Sequence, residues 1–271
     1  MSQTRKIFLF IALPLIIIFG ALAVYMMPSR QATTTDSATP SSSPTPTTTR
    51  NTTTKSGEPP LKIKSLGINL ADFDPATGMA GDLKFTKTKF TSGIQLLFSD
   101  YGYVIKAANS ASGQDKSNPQ PTFIAPLGTK VMSLVDGVVF DVPKLYSNDY
   151  SVQIYDGKDS KWVYETEHVI NVLVKKGDAV KAGQVIAEVS DYSAHGYDGM
   201  GLFEIGLLKG GNPPQHFCPF SYLDDSIKDA TLKQLSSLMK SWEEYRGDAS
   251  LYPDESTYPV LGCLSLDPIA G

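Results

Sequence analysis

Two glycines six residues apart, Gly177 and Gly183, constrain the fold of this chain more than any other feature. Glycine adopts the positive backbone angles of tight bends at little cost. Behind the second glycine, Val185, Ala187 and Val189 alternate with other residues, which is typical of a half-buried strand. The stretch therefore predicts a tight bend between short strands of a compact β barrel or sandwich.

The N-terminus contains an uncharged apolar run over residues 7–27. About 20 apolar residues in a helix span a hydrocarbon core of about 30 Å. Arg5 and Lys6 precede the run, which favours a cytoplasmic N-terminus. We expect residues 1–28 to be a transmembrane signal anchor that leaves the remainder extracytoplasmic; cleavage after Ala23 would instead give a secreted protein.

Composition divides the rest of the chain into three segments. Residues 29–60 are rich in Thr, Ser and Pro, which predicts a disordered stalk. Residues 61–223 show short alternating apolar runs separated by glycines, which predicts a β domain. In residues 224–271 an apolar stripe at helical spacing predicts one helix, capped by Asp225 or Ser226 and packed with its tail on the β domain.

Cys218 and Cys263 are the only cysteines of the chain. On the extracytoplasmic side they would meet an oxidising environment, so we predict a disulfide, with two buried free thiols as the alternative. A bond that closes a loop of about 45 residues stabilises a fold by ~4 kcal/mol in the chain-entropy model.

The charge of the chain argues against one class of partner. The formal net charge is -4, and no block rich in Lys or Arg follows the first residues. Nucleic-acid binding requires a basic surface, so we expect no nucleic-acid partner.

Five motifs resemble, in order and spacing, the lysostaphin-like peptidases of family M23. They are Ala125-Pro-x-Gly-Thr129, Asp136-Gly137, His168-Val169, Gly177-Asp-x-Val-x-x-Gly-Gln184 and Phe203-Glu-Ile205. The resemblance extends from about Asn118 to Leu223 and implies a mainly antiparallel β sandwich or barrel, here with one C-terminal helix. The Gly-Asp-x-Val-x-x-Gly-Gln motif also occurs in lipoyl-like hairpins, which keeps a second family open.

The resemblance also implies which residues should hold zinc. In the family a His-x-x-x-Asp pair and the second His of a His-x-His motif bind the metal. The alignment places Asn118 and Thr122 at the first pair and Met200 and Leu202 at the second. Catalytic zinc needs about three N, O or S ligands. Because only His168 of the family's histidines remains, we predict no zinc, no other cofactor and no zinc catalysis.

These positions, together with Glu204, define the candidate groove residues. We expect a membrane-tethered, non-catalytic domain that binds cell-wall peptides of peptidoglycan or regulates a cell-wall hydrolase. One alternative is an active zinc metalloendopeptidase on peptidoglycan with displaced ligands, for which His168, His195 and Asp198 are the candidates. Another is a lipoyl-like adaptor module of an envelope assembly, although the sequence lacks the long heptad run of such adaptors.

Overall fold

The computed structural model describes residues 57–110, 112–158, 161–197 and 199–271, which all belong to one compact unit. The predicted anchor and nearly all of the predicted stalk lie outside these residues. Within the described ranges, no helix is long and apolar enough to cross a membrane.

Short strands dominate the described part of the chain. They are β1 (Met79–Ala80), β2 (Leu83–Lys84), β3 (Phe98–Ser99), β4 (Val104–Ile105), β5 (Lys116–Ser117), β6 (Thr122–Pro126), β7 (Lys130–Met132), β8 (Gly137–Asp141), β9 (Tyr150–Tyr155), β10 (Trp162–Ile170), β11 (Ala179–Val180), β12 (Val185–Asp191), β13 (Met200–Lys209), β14 (Gln215–His216) and β15 (Ile269–Ala270). One α-helix, α1, covers Lys228–Arg246, and single 3-10 turns cover Ala107–Asn109, Ser193–His195, Pro219–Tyr222 and Glu255–Thr257.

The two longest strands, β10 and β13, form the centre of an 11-stranded antiparallel sheet within the described residues. Strand β10 also pairs with β9 and β12, and β13 also pairs with β6. Phe98, Phe123 and Phe203 from β3, β6 and β13 contact one another in the core, with ring centroids 5.0 and 5.4 Å apart. The predicted mainly antiparallel β architecture with one C-terminal helix is therefore confirmed.

The glycine bend forms where the sequence predicts it. Gly177 and Gly183 have φ angles of 91° and 78°, and their amides donate to the carbonyls of Val139 and Ser133, both at 2.9 Å. The strand that follows differs in part from the prediction. Ala187 and Val189 are fully buried, but Val185, at the start of the strand, is 38% exposed.

Helix α1 ends at Gly247 in the left-handed conformation, as predicted. The predicted cap is wrong, because no side chain caps the first turn. Instead, the backbone carbonyl of Asp224 accepts hydrogen bonds from the amides of Ile227 and Lys228, at 3.0 Å each. A backbone carbonyl three or four residues back satisfies these amides without a capping side chain.

The apolar stripe of α1 packs on the segment that precedes the main sheet. The buried indole of Trp242 meets the Phe85 ring edge-on at 5.2 Å, and its N–H donates to the carbonyl of Gln95 at 2.9 Å. Beyond the helix, the tail returns to the sheet through the predicted Cys218–Cys263 disulfide, which is present, and through pairing of β15 with β14.

Candidate functional site

A cavity of about 760 Å³ opens over the central strands of the sheet. Strand β10 contributes Glu165, Glu167 and His168 to its wall, and β13 contributes Leu202 and Glu204. Glu167 and Glu204 lie directly opposite each other in the strand register. The two longest strands therefore bring three carboxyl groups and an imidazole into one cavity.

An irregularity in β10 explains how neighbouring residues reach the same cavity. Successive side chains of a regular strand point to opposite faces, so Glu165 and Glu167 share a face that His168 would not. The register of β10 against β9 shifts between Thr166 and Val169, and His168 has a φ angle of 56°. Positive φ is unusual for a residue other than glycine and typically costs about 1–3 kcal/mol. The bulge therefore turns His168 towards the two glutamates.

His168 is buried and anchored through its Nδ1 atom. This nitrogen lies 3.0 Å from Oδ2 of Asp149, 2.7 Å from the Tyr192 hydroxyl and 3.3 Å from the Ser147 hydroxyl. Burial lowers the pKa of His168, but the hydrogen bond to Asp149 and the nearby carboxylates outweigh it, so the pKa is raised. For Asp149, burial raises the pKa, and hydrogen bonds from His168 and Ser147 outweigh it, so the pKa is lowered. The two groups therefore form an ion pair when His168 is protonated.

Glu204 is held by a chain of hydrogen bonds. The amide Nδ2 of Asn118 donates to Oγ1 of Thr122 at 3.1 Å, and this hydroxyl donates to Oε1 of Glu204, also at 3.1 Å. Burial raises the pKa of Glu204, although the charge of His168 and the bond from Thr122 oppose this effect. The chain fixes the orientation of the Glu204 carboxyl group.

Glu165 and Glu167 add negative charge to the same wall. Glu165 accepts hydrogen bonds from Gln120 at 3.1 Å and from Gln153 at 2.9 Å, and also from the Ser151 hydroxyl. Burial raises the pKa of Glu165, and burial together with the charges of Glu165 and Glu204 raises the pKa of Glu167 to about 8. Burial of several like charges is costly, so the cavity favours protons or cations.

The residues at the family's zinc positions do not fit zinc. Asn118 and Thr122 are hydrogen-bonded to each other, and Leu202 offers no donor atom. Met200, the fourth residue of the alignment, lines a separate cavity of about 340 Å³ beside Phe90. The structure thus brings Asn118, Thr122 and Leu202 together near Glu204 and places Met200 elsewhere.

A different set of atoms could hold a metal ion. One ligand atom each of Glu167, His168 and Glu204 lies within 4.8 Å of the others. His195, expected as a displaced ligand, lines the cavity with its ring 4.8 Å from that of Tyr192 but is not in this group. Asp198, the other expected ligand, lies outside the described residues.

Sequence reasoning missed several groups of the site. Glu165 and Glu167 were not predicted, although two glutamates within a run that otherwise reads as a strand could have indicated a functional wall. Asp149 and Tyr192 give no such indication, because they reach His168 from other segments of the chain. His216, also unpredicted, lines the cavity, and burial lowers its pKa to about 4.

Comparison with known proteins assigns a family to the strands that form the cavity wall. Residues 121–203, which include β6 to β12 and the start of β13, match the sequence model of "Peptidase family M23". The match places this segment in the class of peptidase-like domains. Within that class, residues 121–203 are an M23, lysostaphin-like segment of the described domain. A comparison with curated proteins gave no match.

Solved structures with similar chains include two catalytic domains and a chain of a pore-forming complex. The catalytic domain of the prophage-encoded M23 protein EnpA from Enterococcus faecalis is 26% identical over 46% of this chain and 88% of its own, with a TM-score of 0.35. The catalytic domain of lysostaphin from Staphylococcus simulans is 18% identical over 49% and 90%, with a TM-score of 0.34. A chain of the SpoIIQ–SpoIIIAH pore-forming complex is 14% identical over 50% and 89%, with a TM-score of 0.35. In the solution structure of lysostaphin, the match spans 44% of that chain.

Proposed function

We propose that this domain binds peptides of the cell wall in the cavity between β10 and β13 and does not cleave them with the family's zinc. One observation carries the proposal: the positions aligned with zinc ligands hold Asn118, Thr122 and Leu202, while the cavity above them stays open. Leucine cannot ligate a metal, and the other two side chains are engaged in a hydrogen-bond chain. A peptidase fold with this composition keeps a place for a peptide and lacks the usual means to hydrolyse it.

The walls of the cavity suit a peptide. Carboxyl groups and the imidazole offer acceptors and donors for backbone amides and for amino groups. Tyr146 lines the cavity and is 97% exposed, so its ring is available to pack on a ligand. Tyr192 and Tyr197, from the segment between β12 and β13, line the same cavity.

The proposal includes a location. Residues 7–27 would anchor the chain in the membrane with the β domain on the extracytoplasmic side, where cell-wall peptides are found. The net charge of -4 and the disulfide fit an extracytoplasmic domain that does not bind nucleic acid. Protease accessibility of the domain in intact cells tests this part separately.

The binding itself is tested by co-sedimentation of the purified full-length chain with insoluble peptidoglycan. We expect the chain to sediment and to release no soluble fragments, with or without added zinc. Tyr146→Ala should weaken binding without lowering the melting temperature, because this side chain is almost fully exposed.

Leu173→Ala is the matched control, since Leu173 is 67% exposed and does not line the cavity. It should bind like the unchanged protein. Zinc-dependent release of fragments would refute the absence of catalysis. Equal sedimentation of the Tyr146 variant and the unchanged protein would refute the role of the cavity.

A further inference from the structure

The same cavity brings three side chains of metal-ligating type close together. The geometry points to a divalent metal site formed by Glu167, His168 and Glu204, which takes a first-row cation such as Zn²⁺ or Mn²⁺. This site is distinct from the family's zinc position at Asn118, Thr122 and Leu202. The inference assigns no reaction to the ion.

The three ligand atoms are already close together. They lie within 4.8 Å of one another, on adjacent strands. Two ligands of one ion, each at about 2.0–2.2 Å from it, are separated by at most roughly 4.4 Å. Small side-chain rotations are therefore enough to bring all three atoms to one ion.

His168 presents an unused nitrogen to the cavity. All of its hydrogen-bond contacts with the described residues are made by Nδ1, so Nε2 has no such partner there, although His168 is only 8% exposed. Metal-binding histidines typically donate one ring N–H to a carboxylate and offer the other nitrogen to the metal. Asp149 supplies that carboxylate at 3.0 Å. This unpaired nitrogen belongs to a side chain that is otherwise mostly buried, and it is independent of the acidic character of the cavity.

The glutamate ligands are positioned as well. Asn118 and Thr122, which occupy the family's ligand positions, form the hydrogen-bond chain that orients Glu204. Such outer partners fix the direction of ligating groups. The residues at the family's ligand positions thus orient one ligand of the proposed site. Glu167 lies directly opposite Glu204 in the pairing of β10 with β13, which fixes its backbone position.

Charge and donor type indicate which ion fits. The cavity wall contains Glu165, Glu167 and Glu204, and Lys116 is a nearby cation. Glu165 accepts three hydrogen bonds of its own and is not in the close group of ligand atoms, which leaves two carboxylates and one imidazole as ligands. An imidazole favours Zn²⁺ and other first-row ions over Ca²⁺ and Mg²⁺, which prefer oxygen donors.

The test uses the full-length chain without an affinity tag, stripped with a chelator and dialysed against ZnCl₂ or MnCl₂. Elemental analysis should find one ion per chain, and calorimetry should give one site. Glu167→Gln, Glu204→Gln and His168→Asn should each abolish this binding. Asparagine tolerates the positive φ of His168, so the backbone is kept. Asp149→Asn should weaken affinity about 10–100-fold.

Two matched variants separate ligation from charge and from the nearby histidine. Asp191→Asn removes an exposed carboxylate at the end of β12 that does not line the cavity, and His195→Asn removes an imidazole that lines the cavity but is not in the ligand group; both should bind one ion with nearly unchanged affinity. Melting temperatures of the metal-free variants confirm that each is folded. No uptake by the unchanged protein, retention by the ligand variants, or equal loss in either matched variant overturns the inference. No peptide is present, so the result is independent of the proposed peptide binding.

Discussion

Asp100 provides a pH-dependent prediction outside the cavity. It follows β3 and is 1% exposed; its Oδ2 accepts a hydrogen bond from the Tyr258 hydroxyl at 3.0 Å, and its Oδ1 has no partner among the described residues. Burial raises the pKa of Asp100 to about 7, and the hydrogen bond from Tyr258 offsets only part of this effect. The titratable neighbours that its charge affects are Tyr103, Tyr252 and Tyr258.

The sign of the effect follows from proton binding. In the unfolded chain the Asp100 carboxyl loses its proton near pH 4, whereas in the folded chain it keeps it until about pH 7. Between these values the folded state binds more protons, so the free energy of unfolding falls as the pH rises and is constant above the folded pKa. A difference of about three pKa units corresponds to roughly 4 kcal/mol over the whole range.

The perturbation is Asp100→Asn, which removes the titration and keeps the size of the side chain. Urea unfolding followed by tryptophan fluorescence gives the free energy of unfolding at pH 5 and pH 8. Of the roughly 4 kcal/mol, roughly 3 kcal/mol of the free energy of unfolding should be lost between pH 5 and pH 8 in the unchanged chain. The variant should not show this loss. Other buried carboxyls contribute equally to both proteins and cancel in the difference.

The control is Asp115→Asn. Asp115 is an exposed partner of Lys106, whose hydrogen bond lowers the pKa of Asp115, so it titrates below this pH window. Its variant should show the same dependence on pH as the unchanged chain. If Asp100→Asn also loses stability as steeply as the unchanged chain, Asp100 is already ionised in the folded state at pH 5 and the reasoning is refuted.

Two further predictions concern stability. Reduction of the Cys218–Cys263 bond, which spans 45 residues, should lower the free energy of unfolding by ~4 kcal/mol and therefore lower the urea midpoint. In a double Cys→Ser variant the reductant should leave the midpoint unchanged. An unchanged midpoint in the reduced natural sequence would contradict the prediction. Trp242→Ala should cost about 3–5 kcal/mol in urea unfolding, because it empties a fully buried site and leaves the Gln95 carbonyl unpaired, whereas exposed Lys233→Ala should cost under about 0.5 kcal/mol.

The parts of the fold that the sequence predicted correctly depend on neighbouring residues. The bend at Gly177 and Gly183 requires backbone angles that glycine adopts easily, and the end of α1 at Gly247 has the same cause. The predicted cap of α1 was wrong, because the backbone carbonyl of Asp224 accepts the hydrogen bonds of the first amides. Every residue has such a carbonyl, so the residue types do not indicate which one will act as the cap. Residue types therefore predict a glycine turn better than they predict a helix cap that is formed by the backbone.

Met200 illustrates what strand periodicity cannot decide. An alternating pattern places Met200 on the same face as Leu202 and Glu204. In the structure the amide of Thr91 donates to the carbonyl of Gly196 at 3.0 Å, and this contact brings the segment around Thr91 to the start of β13, where Met200 lines its own cavity. This contact joins segments about a hundred residues apart in sequence, and it places Met200 in one cavity and Leu202 and Glu204 in another, although all three share a face of β13.

The sequence by itself determined the class of fold and the position of Leu202 beside Glu204, because both follow from short motifs in fixed register. Only the tertiary structure decided what the cavity contains. The bulge at His168 turns this residue towards Glu167, and the pairing of β10 with β13 places Glu204 opposite them. Such a site depends on a local break in strand alternation and on long-range pairing, and neither is encoded in the spacing of residues along the chain.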